Sequence, residues 1–294
     1  MSAAATGASR RRRRGVLRRR LHIAGQAVIG VIVLIWTVLP LYNMIEVALR
    51  PKNGVFSDDL FPAHPTLMGF WTVFSQGYWY LAHFWHEMGN SLYIGVATAV
   101  LTLLIGTLTS YVIARMRIKG AWIVSNAALL TYVIPMSFLA IPFYRVMQNY
   151  GLGDNLWAVI LVEVTFATPY AIFIFTEYSS SIPTALDEAA RVDGCGPFGI
   201  YCRIYLPLMA PAMVAVGTYA LLLAWNEYLY LSLLLSSPHN MTVPVALGQF
   251  LNSDEAPWNL MMATAVVYAI PPVAIYYAFR RYMTTGLSMG GVKG

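Results

Sequence analysis

The run SLYIGVATAVLTLLIGTLTSYVI, Ser91 to Ile113, carries no charged residue over 23 positions. A hydrocarbon core about 30 Å thick is crossed by about 20 helical residues, so a run of this length reads as a membrane span. Apolar blocks of similar length recur at Ala24–Met44, Ala121–Phe143, Leu156–Thr176, Met209–Leu235 and Leu260–Phe279. Lipid offers no hydrogen-bond partner to a peptide group, so spans of this length are helices. The period-two alternation of a barrel strand is absent from them. The predicted fold class is an all-α integral membrane protein with six transmembrane helices.

Composition agrees. Hydrophobic residues make up 58% of the chain and charged residues 11%, with mean hydropathy +0.60. A soluble domain carries about 25% charged residues, and a water-soluble chain with less than half of that could not cover its surface. The two cysteines, Cys195 and Cys202, match no zinc or haem spacing and are too few for a disulfide framework, so they read as reduced thiols. Arg10 to Arg14 and Arg18 to Arg20 form a basic arm over residues 1–23. A secretory signal is the competing reading, but the apolar run after Ala24 continues past Leu39 with no small-residue cleavage site. Directly before a span, such an arm is better explained by anionic lipid than by nucleic acid.

With the N-terminus inside, every Lys and Arg except Arg50, Lys52 and Arg145 falls on the cytoplasmic side. The positive-inside rule therefore predicts cytoplasmic N- and C-termini. The external segment Arg50 to Asn90 is rich in aromatics (Phe70, Trp71, Phe74, Tyr78, Trp79, Tyr80, Phe84, Trp85) and reads as one or two short helices at the membrane interface. His83 and His86 lie three apart there, too few ligands for a metal site. Pro135, Pro142, Pro169, Pro271 and Pro272 fall inside predicted spans. Each removes a helical hydrogen bond, a break tolerated where neighbouring helices or cavity water satisfy the freed carbonyl. That favours a moving, water-containing bundle over a passive anchor.

The longest polar connection predicted to face the cytoplasm, residues 177–208, reads Pro183-Thr-Ala-Leu-Asp-Glu-Ala-Ala-Arg-Val-Asp-Gly194 at its centre, followed by Ile204, Leu206 and Pro207. Two short helices with a break are predicted. Thr184 is the candidate cap of the first, Leu186 and Ala190 its apolar face with Val192 nearby, and Gly194 its left-handed terminator. Asp187 and Glu188 fall in the first turns, where the helix dipole favours acids. A small helix faced with alanine can seat in a partner's groove; it can equally rest on the bilayer.

Glu188-Ala189-Ala190, three residues, Gly194, nine residues, Ile204, one residue, and Leu206-Pro207 resembles the signature of permease subunits of type I ABC importers at every fixed position. The resemblance implies that this loop is a coupling helix seated in a cleft of an ATP-binding subunit. The tail 280–294, ending Gly290-Gly291-Val292-Lys293-Gly294, is similar to that of maltose-type permeases of the carbohydrate-uptake group, in which the tail reaches the interface of the ATPase pair. Trp225-Asn226-Glu227-Tyr228, and Gly151-Leu152 with Asp154-Asn155, also resemble that group. The likeness covers residues 24–294, which it makes one importer transmembrane domain of the bacterial inner membrane.

No Gly-x-x-x-x-Gly-Lys-Ser/Thr occurs, so the chain lacks the phosphate-cradling loop for ATP, and no Ser/His/Asp or metal constellation is evident. The chain is not itself an enzyme and needs no cofactor of its own. The resemblance implies a second related permease, an ATPase dimer that binds ATP and Mg²⁺, and an extracytoplasmic solute-binding protein, with lipid and no nucleic acid as further surroundings. Glu163 and Glu227 are the acidic residues well inside spans, and such residues are functional candidates by default. Trp225, Asn226, Tyr228 and Tyr230 would join them in a sugar path, aromatic faces meeting C–H surfaces and polar groups meeting hydroxyls. On a continuous helix Asn226 and Tyr230 would share one face, and Trp225 and Tyr228 the next. Glu227 could instead pair with the second permease or cap a broken helix. An ion-coupled carrier using Glu163 and Glu227 is the alternative class. A polyol, glycerol-phosphate-like or sulfonated-sugar solute is the alternative within the importer class.

Overall fold

The computed structural model describes residues 3–116, 118, 120–251 and 257–288. Helix α1, Ala3–Ala48, runs through both the basic arm and the first predicted span without interruption. A 3-10 turn follows at Lys52–Gly54, then α2 at Met68–Phe74, a second 3-10 turn at Trp79–Leu81 and the long helix α3, Phe84–Arg115. Next come α4, Ala121–Leu130, and α5, Ala140–Asn149, joined by 3-10 turns at Thr131–Val133 and Met136–Leu139. Helix α6 is Leu156–Ser180 and α7, in the connecting loop, is Ala185–Val192. The chain continues through α8, Pro197–Ile200, a π-turn at Tyr201–Tyr205, α9, Leu206–Trp225, α10, Leu229–Leu234, α11, Val243–Phe250, and α12, Trp258–Ser288.

Among the described residues, five helical stretches are long and apolar enough to cross a membrane, and the bent pair Asn126–Val133 and Met136–Asn149 makes a sixth when taken as one broken span. Two predicted spans differ from the expectation. The third is no single helix: its two parts meet at 87° across Pro135, whose ring cannot continue a helical ladder. The fifth, expected to be continuous to Leu235, stops at Trp225 and restarts at Leu229. It also begins earlier than expected, because α8, the π-turn and α9 follow one another without a gap from Pro197. Pro169, Pro271 and Pro272 sit inside α6 and α12 with no such interruption.

The chain divides into two compact units. The first, residues 1–70 and 257–266, is organised around Arg50. Its guanidinium pairs with Glu46 one turn earlier and donates to the carbonyls of Gly54 (2.9 Å), Ser57 (3.0 Å) and Asp59 and to the Ser57 hydroxyl. The Asn259 amide donates to the Arg50 carbonyl at 3.1 Å. One buried cation thus fixes the start of the segment between α1 and α3. Along α1, by contrast, side chains from Ile23 to Leu41 are exposed.

In the second unit α3, α6 and α9 pack together. With little hydrophobic drive between helices in lipid, close approach depends on small residues. Gly106 supplies it: a Cβ there would lie 2.9 Å from the Ala171 Cβ and 3.1 Å from the Phe175 ring. Not all of the aromatics between Arg50 and Asn90 are free to act as the expected interfacial anchors. Phe84 is fully buried, and the Tyr78 and Tyr80 rings pack on Phe250 at 5.7 and 5.2 Å.

Candidate coupling site and solute path

Helix α7 ends as its sequence predicts. Gly194 has φ +84°, its N–H donates to the Arg191 carbonyl and the Cys195 N–H to the Ala190 carbonyl. This reciprocal pair closes the C-terminus, and a residue with a Cβ would pay about 1–2 kcal/mol for that left-handed conformation. The N-terminus differs from expectation. Thr184 has helical φ/ψ and its side chain makes no capping bond; its carbonyl accepts the Asp187 and Glu188 N–H groups instead.

The buried face of α7 also differs. It consists of Asp187 and Ala190, whereas Leu186 is exposed and Val192 is 87% exposed. Asp187 is only 5% exposed because it points at Arg115, the last residue of α3: Nη1 lies 3.5 Å from Oδ2. An acid in a first turn reads as a partner of the helix dipole, so sequence reasoning missed this ion pair. No local spacing links the two residues.

The seven signature residues therefore divide by side. Glu188, Ala189, Gly194 and Pro207 are exposed, while Ala190 is buried and Ile204 and Leu206 are half-buried. The inner group packs with Tyr111, Phe175, Ile200, Tyr201 and Tyr205. The loop is stitched to α3 by hydroxyls: Thr107 Oγ1 and Ser110 Oγ each lie 2.9 Å from a tyrosine OH, of Tyr201 and Tyr205 respectively. The Tyr111 OH donates to the Pro197 carbonyl at 2.9 Å. Leu186, Ala189 and Val192 of α7 are exposed beside this packed base. The tail Gly290, Gly291, Val292, Lys293 and Gly294 lies outside the described residues.

The predicted solute cluster is rearranged by the break after α9. Trp225 and Tyr228 do not share a helical face, because the backbone leaves the helix between them. Trp225 is 2% exposed, stacked on Tyr268 at 4.7 Å, and the Tyr268 OH donates to its carbonyl at 2.7 Å. Tyr230 is buried and its OH donates to the Met136 carbonyl at 2.7 Å, which ties α10 to the turn after Pro135. Asn226 and Tyr228 are exposed and Glu227 is half-buried. Glu227 Oε1 accepts the Tyr230 N–H at 2.8 Å. Glu163, on α6, is 1% exposed with no hydrogen-bond partner for Oε1 among the described residues.

The sequence stretch Asp154-Asn155 does local work at the mouth of α6. Asn155 Oδ1 accepts the Trp157 N–H at 2.9 Å, a helix cap legible from the residue type. Asp154, at φ +52°, accepts the Ser236 and Ser237 N–H groups at 2.8 and 3.1 Å, and these bonds hold its carboxyl down to about 2.

Residues 102–288 match the family described as binding-protein-dependent transport system inner membrane component. The chain belongs to this family. It is 31% identical over 263 residues to the inner membrane ABC transporter permease protein YcjP of Escherichia coli, covering 89% of this chain and 93% of that protein. To the arabinooligosaccharides transport system permease protein AraQ of Halalkalibacterium halodurans it is 32% identical, covering 87% and 91%. To the trehalose transport system permease protein SugB of Mycobacterium tuberculosis it is 30% identical, covering 91% and 97%. Among solved structures, a chain of a bacterial ABC transporter involved in the import of the polysaccharide alginate superposes with TM-score 0.74 at 22% identity, covering 90% of this chain and 96% of that one. The fold is therefore the six-helix fold of ABC importer permeases, and the protein is a multi-pass component of the inner membrane.

Proposed function

We propose that this permease moves a sugar or oligosaccharide inward by alternating access, driven by a separate ATPase that docks on α7. The observation that carries the proposal is the division of the signature residues. Leu186, Ala189 and Val192 are exposed on α7, while Asp187 is paired with Arg115 of α3 and Ala190 is buried in the cluster of Ile200, Tyr201 and Tyr205. Such a helix can pass a push from a partner into the bundle with little loss. Relatives named for arabinooligosaccharide and trehalose transport support a saccharide solute.

The other partners follow from the same reading. The exposed apolar side chains along α1 suit a lipid-and-protein environment that a second, related permease would complete. An extracytoplasmic solute-binding protein would dock on the external side, as the family description and the alginate transporter solved with a periplasmic protein both suggest. Both termini, the basic arm 1–23 and the loop 177–208 would then face the cytoplasm. Asn226, Glu227 and Tyr228 are the parts of the predicted solute cluster that reach the surface, with Trp225, Tyr230 and Glu163 behind them as support. Reversing an inward:outward ratio from 1:99 to 99:1 takes about 5.5 kcal/mol of differential binding, within reach of ATP clamping two ATPase subunits on two coupling helices.

The test is uptake in vesicles carrying the permease with its genomic partner subunits and solute-binding protein. Uptake of labelled di- and oligosaccharides should require both internal ATP and the loaded binding protein. Uptake driven by a proton or sodium gradient without ATP would overturn the reading in favour of an ion-coupled carrier.

A further inference from the structure

Arg115 ends α3 inside a polar cavity of 230 Å³ lined also by Tyr111, Thr184, Asp187, Glu188 and Arg191. It is 6% exposed, and a buried cation is tolerated only with a partner. The partner is Asp187, reached by one guanidinium nitrogen at 3.5 Å; Nε and Nη2 have no hydrogen-bond partner among the described residues. The Tyr205 ring lies under the guanidinium, 5.9 Å from it. Thr107, Ser110, Tyr111 and Arg115 form one stripe of α3 at helical spacing, and every one of them grips the loop that contains α7.

We propose that Arg115 is a positioning residue that carries the displacement of α7 into the membrane helix α3 through Asp187. Its three hydroxyl-bearing neighbours on the stripe bond to α8 and the π-turn, whereas the ion pair ties the end of α3 directly to the docking helix. The pair is suited to motion. A fork with two spare donors and open space beside it can keep hold of a moving carboxylate, exchanging one donor for another or closing to a two-pronged grip. A neutral contact of the same size has no donor to exchange as the carboxylate moves, so it lacks this directional hold.

The inference rests on the reading of α7 as the element that docks the ATPase, and the test separates the two. In the complete importer reconstituted in vesicles, Arg115→Met and Asp187→Asn should each lower the ratio of binding-protein-stimulated to basal ATP hydrolysis by at least about fivefold, a low-end allosteric coupling. The ATPase should still co-purify in wild-type amounts. Arg115→Lys, which keeps the charge without the fork, should recover part of the ratio. The double variant should be no worse than Arg115→Met, since both changes cut one link. A ratio within twofold of wild type in Arg115→Met, multiplying defects in the double variant, or loss of the ATPase from Arg115→Met would each overturn the proposal. Val192→Glu, on the exposed side of α7 and away from the cavity, tests the docking reading by itself. If Val192→Glu fails while Arg115→Met stays coupled, only the role of Arg115 falls; if Val192→Glu assembles and couples normally, the docking reading falls.

Discussion

Glu227 Oε1 lies 2.8 Å from the backbone nitrogen of Tyr230 and accepts one of the free N–H groups at the start of α10. This carboxylate therefore has a structural duty whether or not it meets solute, and the two roles respond differently to substitution.

Glu227→Gln keeps an acceptor oxygen, so the thermal stability of the purified complex should change little. Glu227→Ala removes the cap and should cost about 1 kcal/mol. A carboxylate gives charge-assisted hydrogen bonds to hydroxyls about 1.4 kcal/mol stronger than an amide does, which is a factor of about 10 in affinity. Glu227→Gln should therefore raise the half-saturating solute concentration for uptake about tenfold. An unchanged half-saturation would confine Glu227 to its cap.

Two glycines on α3 should behave oppositely. Gly106→Ala places a Cβ 2.9 Å from Ala171 and should destabilise by about 1–3 kcal/mol through overpacking. Gly95→Ala meets nothing nearer than 3.5 Å and, with the better helix propensity of alanine, should be neutral or stabilising by up to about 1 kcal/mol. Thermal unfolding of the two variants in one detergent gives the comparison; equal effects would contradict the packing described for α3 and α6.

Asp154 links stability to pH. Its carboxyl is held below its ordinary value by the Ser236 and Ser237 N–H groups, so the charged form is favoured in the folded state. The contribution is fully present above the ordinary carboxylate range, about 4, and fades as pH falls toward about 2. Asp154→Ala should therefore unfold at a lower temperature than wild type at pH 7, with a gap that narrows at pH 3. A constant gap would place the effect elsewhere.

Sequence alone located the spans because their length is fixed by the bilayer, and the end of α7 because glycine at position 194 has one conformational use at a helix end. It did not reveal the break at Asn226 to Tyr228, since the apolar run continues through it to Leu235 and only one acid and one amide mark the site. The bend at Pro135 was signalled, but neither its 87° angle nor the bond from the Tyr230 OH to the Met136 carbonyl beside it leaves a local mark in the sequence. The burial of Asp187 was illegible for the same reason: its partner, Arg115, belongs to another helix and reads in sequence as one more cytoplasmic cation. Of the expected apolar face of α7, Ala190 is buried while Leu186 and Val192 are exposed, because Asp187 turns inward to meet Arg115.

If α7 transmits work between a separate ATPase and this bundle, as proposed, Gly194→Val should uncouple the two. The position has open space for a side chain but a φ of +84° that a β-branched residue resists, so the substitution disturbs the end of α7 and little else. In vesicles holding the complete importer, the account predicts that solute-loaded binding protein no longer stimulates ATP hydrolysis above the basal rate. Wild-type stimulation in the same preparation would contradict it.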